Sequence, residues 1–273
     1  MTKIKLLALD LDGTLYNSQK QVSDENKAAL KAARSKGVKV VITTGRPLKA
    51  IGNLLEELDL SGAENYSITF NGGLVQRNTG EILDKSELSR QHLEAIYDVF
   101  EPLGLPLDVL SDGTVYSISS KGNHSLYHKA NPLLTFIEVA NLAAVPDNIV
   151  YNKVVSVIDA AYLDRQIQKL PADFYKEFEV FKSRDIILEV MPKGVHKAIG
   201  LERLTKYLGL ESRQVMAVGD EENDLSMLSW AGLGVAMANG TKAAKDIADT
   251  VTVRTNDQAG VAEAIDHYIL SED

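Results

Sequence analysis

Short apolar runs alternate with amphipathic helical patterns in the first third of the chain. The runs at residues 4–10, 38–44 and 66–70 have the length and composition of buried parallel strands. Ser23 is a good N-cap for a helix between the first two runs. Pro47 can begin a second helix, because apolar residues follow it at helical spacing. This strand–helix–strand order predicts a parallel sheet with right-handed crossovers.

The middle of the chain has a different pattern, which is typical of antiparallel strands. Asp112-Gly113 lies between apolar runs at residues 107–111 and 114–119. A two-residue Asp-Gly loop between strands is a strong hairpin signal, so we expect a separate α+β unit here. The same part of the chain predicts further strands at residues 150–158 and 178–181 and helices at residues 93–100 and 163–170.

The alternating pattern returns near residue 187 and continues to the end of the sequence. It predicts helices at residues 195–208 and 241–248, strands at residues 215–219, 233–237 and 251–253, and a last helix, capped by Asn256 or Asp257, to residue 269. We therefore predict an α/β fold with a Rossmann-like, doubly wound parallel sheet core. Residues 1–83 and 188–273 would form this core, and residues 84–187 an inserted α+β domain.

Composition narrows the possible functions. The chain of 273 residues contains no cysteine, so disulfides, thiolate metal sites and a cysteine nucleophile are excluded, and the reducing cytoplasm is the expected location. A formal net charge of −9 disfavours nucleic acid and anionic membranes as partners. No apolar run reaches the roughly 18 residues of a transmembrane helix, and the first run is too short for a signal peptide.

Two aspartates directly follow the first predicted strand, in the sequence Asp10-Leu11-Asp12-Gly13-Thr14. Ligands of a doubly wound sheet bind beyond the carboxyl ends of the strands, so both carboxylates would converge there. Two like charges this close need a cation between them or a proton on one of them. Carboxylate oxygens recruit Mg²⁺ and can also attack phosphorus. The alternative is a structural turn in which Asp10 and Thr14 cap backbone groups.

The second predicted strand also ends in polar groups, at Thr43, Thr44 and Gly45. A hydroxyl followed by glycine can present O–H and N–H groups to a phosphate, and the start of the next helix adds favourable partial charge. The same residues could serve only as a helix N-cap before Pro47.

Lys197 lies near the start of the helix predicted at residues 195–208. A lysine at this end has the wrong sign for the helix dipole. A solvated surface lysine is nevertheless the default interpretation, because Lys193 nearby makes a basic turn possible.

A cluster of oxygen-bearing side chains follows the strand predicted at residues 215–219. Such side chains at a strand end suit a Mg²⁺ site, whereas the alternative is an acidic helix start that needs no metal. The carboxylates at the end of the first strand favour the metal site. The residues of this cluster are Asp220, Glu221, Glu222, Asn223 and Asp224.

These four motifs together resemble the haloacid dehalogenase superfamily, and within it the Cof-type phosphatases that carry a large α/β cap of type C2. The resemblance covers nearly the whole chain. The Thr-Gly-Arg pattern favours Thr44 over Thr43 as the phosphate-binding hydroxyl. The matching positions are Asp10-Leu11-Asp12-Gly13-Thr14-Leu15, Thr44-Gly45-Arg46, Lys197 and Gly219-Asp220-x-x-Asn223-Asp224, with Asn71-Gly72-Gly73 and residues 234–240 as further matches.

The resemblance implies a Mg²⁺-dependent phosphomonoester hydrolase that acts on a small phosphorylated metabolite. Asp10 would form an aspartyl phosphate, and Asp12 would act as acid and then base, with a pKa above about 3.9. The Asp10 carboxylate, the Asp12 backbone carbonyl and Asp220 would hold the metal, with Asp224 orienting a water from the second shell. The residues implied to bind the phosphoryl oxygens are Thr44, Gly45, Lys197 and Asn223.

The resemblance also implies that the inserted domain is a cap that excludes water and reads the rest of the substrate. Arg46, Asn71 and Arg184 are candidate substrate contacts, and no obligate protein partner is evident. A sugar phosphate is the first expectation for the substrate, although pyridoxal phosphate and flavin mononucleotide fit the motifs equally. Weaker candidates for substrate contact in the inserted domain are Lys121, His124, His128 and Lys153.

Two other functions fit part of the pattern. A phosphomutase or phosphotransferase would use the same motifs and differ only in its products. A non-enzymatic phospho-aspartate switch would use Asp10 but is disfavoured by Asp12, because a general base beside the acyl phosphate shortens its lifetime.

Overall fold

The computed structural model describes residues 3–271, which form two compact units, each with its own sheet. The first unit contains the chain up to Arg46, Asn53–Lys85 and the chain from His196 onward. The second unit contains Pro47–Gly52 and Ser86–Val195. None of the helices in the described residues has the length and apolar character that crossing a membrane requires.

The regular elements of residues 3–271 follow the predicted alternation. The strands are β1 (Leu6–Leu9), β2 (Lys39–Thr43), β3 (Tyr66–Thr69), β4 (Leu74–Arg77), β5 (Ile82–Lys85), β6 (Leu107–Ser111), β7 (Thr114–Ile118), β8 (Thr135–Glu138), β9 (Lys153–Val157), β10 (Phe178–Arg184), β11 (Ile187–Pro192), β12 (Val215–Gly219), β13 (Leu233–Ala236) and β14 (Thr250–Val251). The α-helices are α1 (Asp24–Ser35), α2 (Leu54–Glu57), α3 (Arg90–Leu103), α4 (Tyr127–Ala130), α5 (Ala160–Ile167), α6 (Phe174–Glu177), α7 (Lys197–Leu208), α8 (Leu225–Trp230), α9 (Lys242–Ile247) and α10 (Gly260–Ile265). The 3₁₀ helices are Leu48–Ile51, Phe70–Gly72, Leu142–Ala144, Ser212–Gln214, Glu222–Asp224 and Asn256–Gln258, and a π-helical turn spans Asp266–Leu270.

The first unit contains a sheet with the strand order β14-β13-β12-β1-β2-β3-β4-β5. The strands from β14 to β3 in this order are all parallel, which confirms the doubly wound α/β fold class. Leu9 of β1 is level with Ile42 of β2 and Val218 of β12. The polar residues that follow these strands therefore start at the same edge of the sheet.

Burial on both faces explains why the central strands of this sheet read as continuous apolar runs. Every residue of β1 and β12 is buried. Helix α7 packs against the same sheet through Leu201 and Leu204, which contact a core that includes Ile68 and Ala217. This packing fixes the start of α7, where Lys197 lies.

The second unit is built on a sheet with the strand order β10-β11-β9-β6-β7-β8. Its pairs are antiparallel except for β7 with β8. The predicted hairpin is confirmed, and Asp112 in its turn has the left-handed φ of 49° that this loop requires. A separate apolar core stabilises the unit, with Phe100, Val109 and Phe178 among its members.

Two of the predicted helices differ from the structure. The helix after Pro47 is interrupted, because Gly52 has a φ of 59° and separates a 3₁₀ helix from α2. The last helix begins at Gly260, after Ala259 in the left-handed conformation, and neither Asn256 nor Asp257 is its N-cap. Strands β4 and β5 were not predicted and extend the first sheet with antiparallel pairs.

Candidate active site

Four strands of the first sheet deliver polar side chains to one edge. Asp10 follows β1, Thr44 follows β2, Asn71 follows β3 and Asp220 follows β12, and all four side chains are buried. Buried polar groups need partners, so their contacts define the site.

Lys197 is a fully buried cation between two carboxylates. Its Nζ donates to Asp10 Oδ1 at 2.5 Å and to Asp224 Oδ1 at 2.6 Å. The start of α7 approaches the loop after β3 closely, since a Cβ on Gly72 would lie 2.2 Å from the carbonyl oxygen of His196. Gly72, with a φ of 97°, is therefore required for the lysine to reach the carboxylates. The solvated-lysine interpretation is wrong.

Asp10, Asp220 and Asp224 form a buried carboxylate cluster. One oxygen from each lies within 4.8 Å of the others. Thr14 Oγ1 donates to Asp220 Oδ1 at 2.6 Å. Asp224 Oδ2 accepts from the backbone N–H groups of Asp220 and Glu221, at 2.9 and 3.0 Å. Each aspartate is thus held in place by a different contact.

The electrostatics of the cluster favour a bound cation. Burial raises the pKa of Asp10 well above its ordinary value, and the charges of Asp224 and Asp220 raise it further, against the opposing charge of Lys197. Burial raises the pKa of Asp220 to about 7, with Asp224 adding to the effect. For Lys197, burial acts to lower the pKa, but the charges of Asp10 and Asp224 outweigh it and the pKa is raised.

The donor set of this cluster fits a divalent metal ion. Three ionised carboxylates and one lysine leave a net charge of −2, which a divalent cation would neutralise. Oxygen donors are the ligands that Mg²⁺ prefers. Burial first and the neighbouring aspartates second raise the pKa values of Asp10 and Asp220, and a bound cation would oppose both effects by stabilising the ionised carboxylates.

Asp12 lies beside the cluster but has different partners. Arg46 donates from Nε to Asp12 Oδ2 at 2.8 Å and from Nη2 to Oδ1 at 2.6 Å. Lys20 Nζ donates to the same Oδ1 at 2.5 Å. Burial would raise the pKa of Asp12, but these two cations outweigh it and the pKa lies below its ordinary value. The sequence-based expectation of a raised pKa for Asp12 is therefore wrong in this arrangement.

The remaining predicted phosphate ligands surround the end of β2. Thr44 Oγ1 accepts from the backbone N–H of Arg46 at 3.2 Å, which leaves its O–H able to donate. Asn223 Nδ2 donates to Asn71 Oδ1 at 3.2 Å. A Cβ on Gly45 would lie 3.0 Å from the Asn71 amide oxygen, so this loop is closely packed. The Thr43 hydroxyl is buried and lacks a hydrogen-bond partner within residues 3–271.

Comparison with known proteins identifies the family of this chain. The model of the haloacid dehalogenase-like hydrolase family matches residues 7–265. The chain belongs to this family. A relative from Bacillus subtilis, 5-amino-6-(5-phospho-D-ribitylamino)uracil phosphatase YcsE, is 32% identical over 98% of the chain and 96% of its own length.

Solved structures of haloacid dehalogenase-like hydrolases have the same fold. One from Bacteroides thetaiotaomicron is 30% identical, with a TM-score of 0.85 over 97% of this chain and 99% of that one. The subclass IIB sugar phosphatase BT4131 is 26% identical, with a TM-score of 0.79 over 97% of this chain and 98% of that one. The predicted family resemblance is therefore confirmed.

The candidate residues outside this edge of the sheet lie in the second unit of the hydrolase. Arg184 is exposed at the end of β10. Lys153 is buried and donates to Glu189 at 2.7 Å, so an ion pair accounts for its charge. The His124 ring is hydrogen-bonded to Ser119, and Lys121 donates to the Pro102 carbonyl. His128 contacts the Phe136 ring edge-to-face.

Sequence reasoning missed two contributors to the site of this hydrolase. Lys20 belongs to none of the sequence motifs, and its ion pair with Asp12 depends on the path of the loop between the two residues. Asn239 donates from Nδ2 to the Gly13 carbonyl at 2.7 Å and so braces the loop after β1. Asn239 lies in residues 234–240, which match the family pattern, but that match does not show that its side chain contacts Gly13.

Proposed function

We propose that this hydrolase is a Mg²⁺-dependent phosphomonoesterase that acts on small phosphorylated metabolites through an aspartyl phosphate on Asp10. The observation that supports it best is the buried Lys197, which contacts Asp10 in the centre of a carboxylate cluster. A cation held there can bind the oxygens of a phosphoryl group as well as the nucleophile. An ion pair at the surface could form without burying a lysine, so the burial of Lys197 points to a role in the site rather than to simple charge pairing.

In the first step, an Asp10 carboxylate oxygen attacks phosphorus and the bond from phosphorus to the ester oxygen breaks. Asp12 in its acid form gives its proton to that leaving oxygen, and the products are an alcohol and the aspartyl phosphate. Lys197, Thr44, Gly45 and Asn223 would bind the phosphoryl oxygens and hold the group in line.

In the second step, Asp12 in its base form takes a proton from water, whose oxygen attacks the phosphorus of the aspartyl phosphate. The bond from phosphorus to Asp10 breaks, which releases inorganic phosphate and restores the carboxylate. The ion pairs with Arg46 and Lys20 favour the base form of Asp12. The acid form needed for the first step requires these ion pairs to loosen when the substrate binds.

The carboxylate cluster would hold Mg²⁺ through Asp10 and Asp220, with the Asp12 backbone carbonyl as a further ligand. Mg²⁺ supplies positive charge to the phosphoryl oxygens when it is bound. Asp224 would then orient a water rather than bind the metal, because its Oδ2 already accepts two backbone N–H groups and its Oδ1 contacts Lys197.

The substrate is proposed to be a sugar phosphate or a similar small phosphomonoester. The similarity to a sugar phosphatase and to a phosphatase of a ribityl compound supports this class. The second unit, which contains Ser86–Val195 and so continues beyond its predicted end at residue 187, is proposed as a cap domain inserted into the chain of the first unit. Arg46, Asn71 and Arg184 are proposed as substrate contacts. The cysteine-free sequence and its acidic charge support action in the cytoplasm on a metabolite rather than on nucleic acid or a membrane.

The test is phosphate release from a panel of sugar phosphates, pyridoxal phosphate, flavin mononucleotide and an aryl phosphate. The assay is run with Mg²⁺, with EDTA and with Asp10→Asn, and Asp24→Asn is the matched control because Asp24 is exposed on α1. We expect turnover for wild type and Asp24→Asn, and none with EDTA or with Asp10→Asn. Mass spectrometry of acid-quenched enzyme should detect a phosphate adduct on Asp10.

Other outcomes would point to the alternatives. Product that carries the phosphoryl group on an added alcohol or at a second position of the sugar would indicate a phosphotransferase or mutase. A stable adduct on Asp10 without turnover would indicate a switch. Undiminished turnover in Asp10→Asn would exclude this nucleophile.

A further inference from the structure

Lys20 reaches Asp12 from a short loop that the structure holds firmly. The Asn17 backbone N–H donates to the Gln21 carbonyl, and the Asn17 side chain accepts from the N–H groups of Gln19 and Gln21, at 3.0 and 2.9 Å. Lys20 itself has a φ of 60°, a conformation that a non-glycine residue rarely adopts. The loop thus presents the lysine towards the end of β1.

The Asp12 carboxylate has two cationic partners. Lys20 and Arg46 both contact it, so Asp12 keeps a cation beside it if Lys20 turns away. Two carboxylates of the buried cluster, Asp10 and Asp224, pair with Lys197 instead.

The two cations differ in how accessible they are. The Lys20 side chain is 59% exposed, whereas that of Arg46 is 22% exposed. Arg46 holds Asp12 through two parallel hydrogen bonds, so Asp12 stays oriented if Lys20 moves. Lys20 is a flexible point charge that can turn from Asp12 Oδ1 to another anion at little cost.

We propose that Lys20, beside Arg46, is a specificity-determining residue that binds a second anionic group, a carboxylate or a second phosphate, on the leaving group of the substrate. This proposal rests on the proposed function, because Asp12 is adjacent to the leaving oxygen only if it protonates that oxygen. The preferred substrate class is then a phosphorylated acid or a bisphosphate whose second anion lies a few bonds from the ester.

The test uses two ligands that differ only in that anion. 3-Phosphoglycerate and glycerol 3-phosphate share a three-carbon skeleton and a terminal phosphate, but the first has a carboxylate where the second has a hydroxymethyl group. Calorimetric binding of both to Asp10→Asn with Mg²⁺ measures the preference without turnover. The ratio of kcat/KM values for the two ligands measures it again in the active enzyme.

We expect tighter binding of 3-phosphoglycerate and a loss of about fivefold in this preference in Lys20→Met, the upper range for a solvent-facing ion pair. The loss should lie in KM rather than kcat, and high salt should reduce the wild-type preference in the same way. Lys20→Arg should retain it. Lys27→Met is the control, because Lys27 has a similar ion pair with Glu57 on the same unit.

Each result separates this inference from the proposed function. An unchanged preference in Lys20→Met, or no preference in wild type, overturns the role of Lys20 even if both ligands are hydrolysed. A Lys20-dependent binding preference without any phosphate release would support the anion site and count against the phosphomonoesterase.

Discussion

Lys197 Nζ lies 2.5 Å from Asp10 Oδ1, and the lysine side chain is completely buried. Removing one partner of a buried ion pair leaves an uncompensated charge, so Lys197→Met should lower the free energy of unfolding by about 3–5 kcal/mol. Urea denaturation with EDTA present measures this. Lys27→Met, which removes an ion pair at the surface, should change stability little. Equal stability of Lys197→Met and wild type would contradict the charge balance described for the cluster.

Metal affinity should depend on pH because the pKa of Asp220 is raised to about 7 by burial and by neighbouring acids. The ligands must be ionised, and the pKa of Asp10 is raised as well, so the apparent affinity for Mg²⁺ should fall by at least about tenfold for each pH unit below 7. Calorimetric titration with Mg²⁺ at several pH values measures this dependence. The range from about pH 5.5 to about pH 8.5 brackets the Asp220 pKa of about 7. Asp220→Asn should bind weakly at every pH, and a flat profile in wild type would count against Asp220 as a ligand.

Most of this site could be predicted because strand ends carry strong local signals. The strand at residues 215–219 was predicted with the observed bounds, and the parallel order placed Asp10 and Asp220 at one edge of the sheet. Lys197 was doubtful from the residues alone, since nothing in a helix pattern shows that the loop around Gly72 lets α7 approach so closely.

What could not be predicted depends on backbone conformation or on long-range contacts. The direction of the Asp12 pKa is set by Arg46 and Lys20, and the second of these reaches Asp12 from a loop with no regular pattern. The interruption after Pro47 depends on a left-handed Gly52, which a helical spacing of apolar residues conceals. Strands β4 and β5 have four residues each, and two of the four in β4 and in β5 are polar; β5 also lies at the edge of the sheet and is largely exposed. Neither strand therefore has the continuous apolar run of the central strands.

Stability should also depend on pH through Asp108 in the second unit. Burial raises the pKa of Asp108 to about 6, although hydrogen bonds from Ser117 and Ser125 oppose the shift. A raised folded-state pKa gives stability that is fully present below the unfolded pKa of about 4 and is lost as the pH rises through about 6. Asp108→Asn cannot ionise, so it lacks this loss.

The free energy of unfolding of Asp108→Asn relative to wild type should therefore increase by about 3 kcal/mol between pH 4 and 7 and stay constant above pH 7. Urea denaturation followed by circular dichroism at several pH values measures the difference. Asp164→Asn is the control, because Asp164 is exposed in the same unit and should give a nearly constant difference. If the difference in unfolding free energy between Asp108→Asn and wild type were also independent of pH, the Asp108 carboxyl of the wild-type protein would not take up a proton on folding.

Gly13 and Gly37 allow backbone strain to be separated from a steric clash in the site. Their φ angles are 85° and 84°, so an alanine at either position meets the same strain, about 1–2 kcal/mol. A Cβ on Gly13 would lie 2.2 Å from Asp220 Oδ2, whereas a Cβ on Gly37 would have no atom within 4 Å. Gly13→Ala must therefore displace Asp220, and a shift of about 1 Å in a reacting group can lower the rate about 100-fold.

We expect both alanine variants to lose stability through the same backbone strain, and Gly13→Ala to lose more because it also displaces the buried Asp220. Only Gly13→Ala should lose Mg²⁺ affinity and turnover. Thermal unfolding with EDTA compares the strain, and calorimetric Mg²⁺ titration compares the ligand position. If Gly13→Ala bound Mg²⁺ and turned over as Gly37→Ala does, Asp220 could not be a metal ligand in the position seen here. Gly13 lies near the start of the connection from β1 to β2, and Gly37 lies near its end, just before β2. A loss of metal binding in both variants would therefore mean that strain anywhere in this connection is enough to disturb the site.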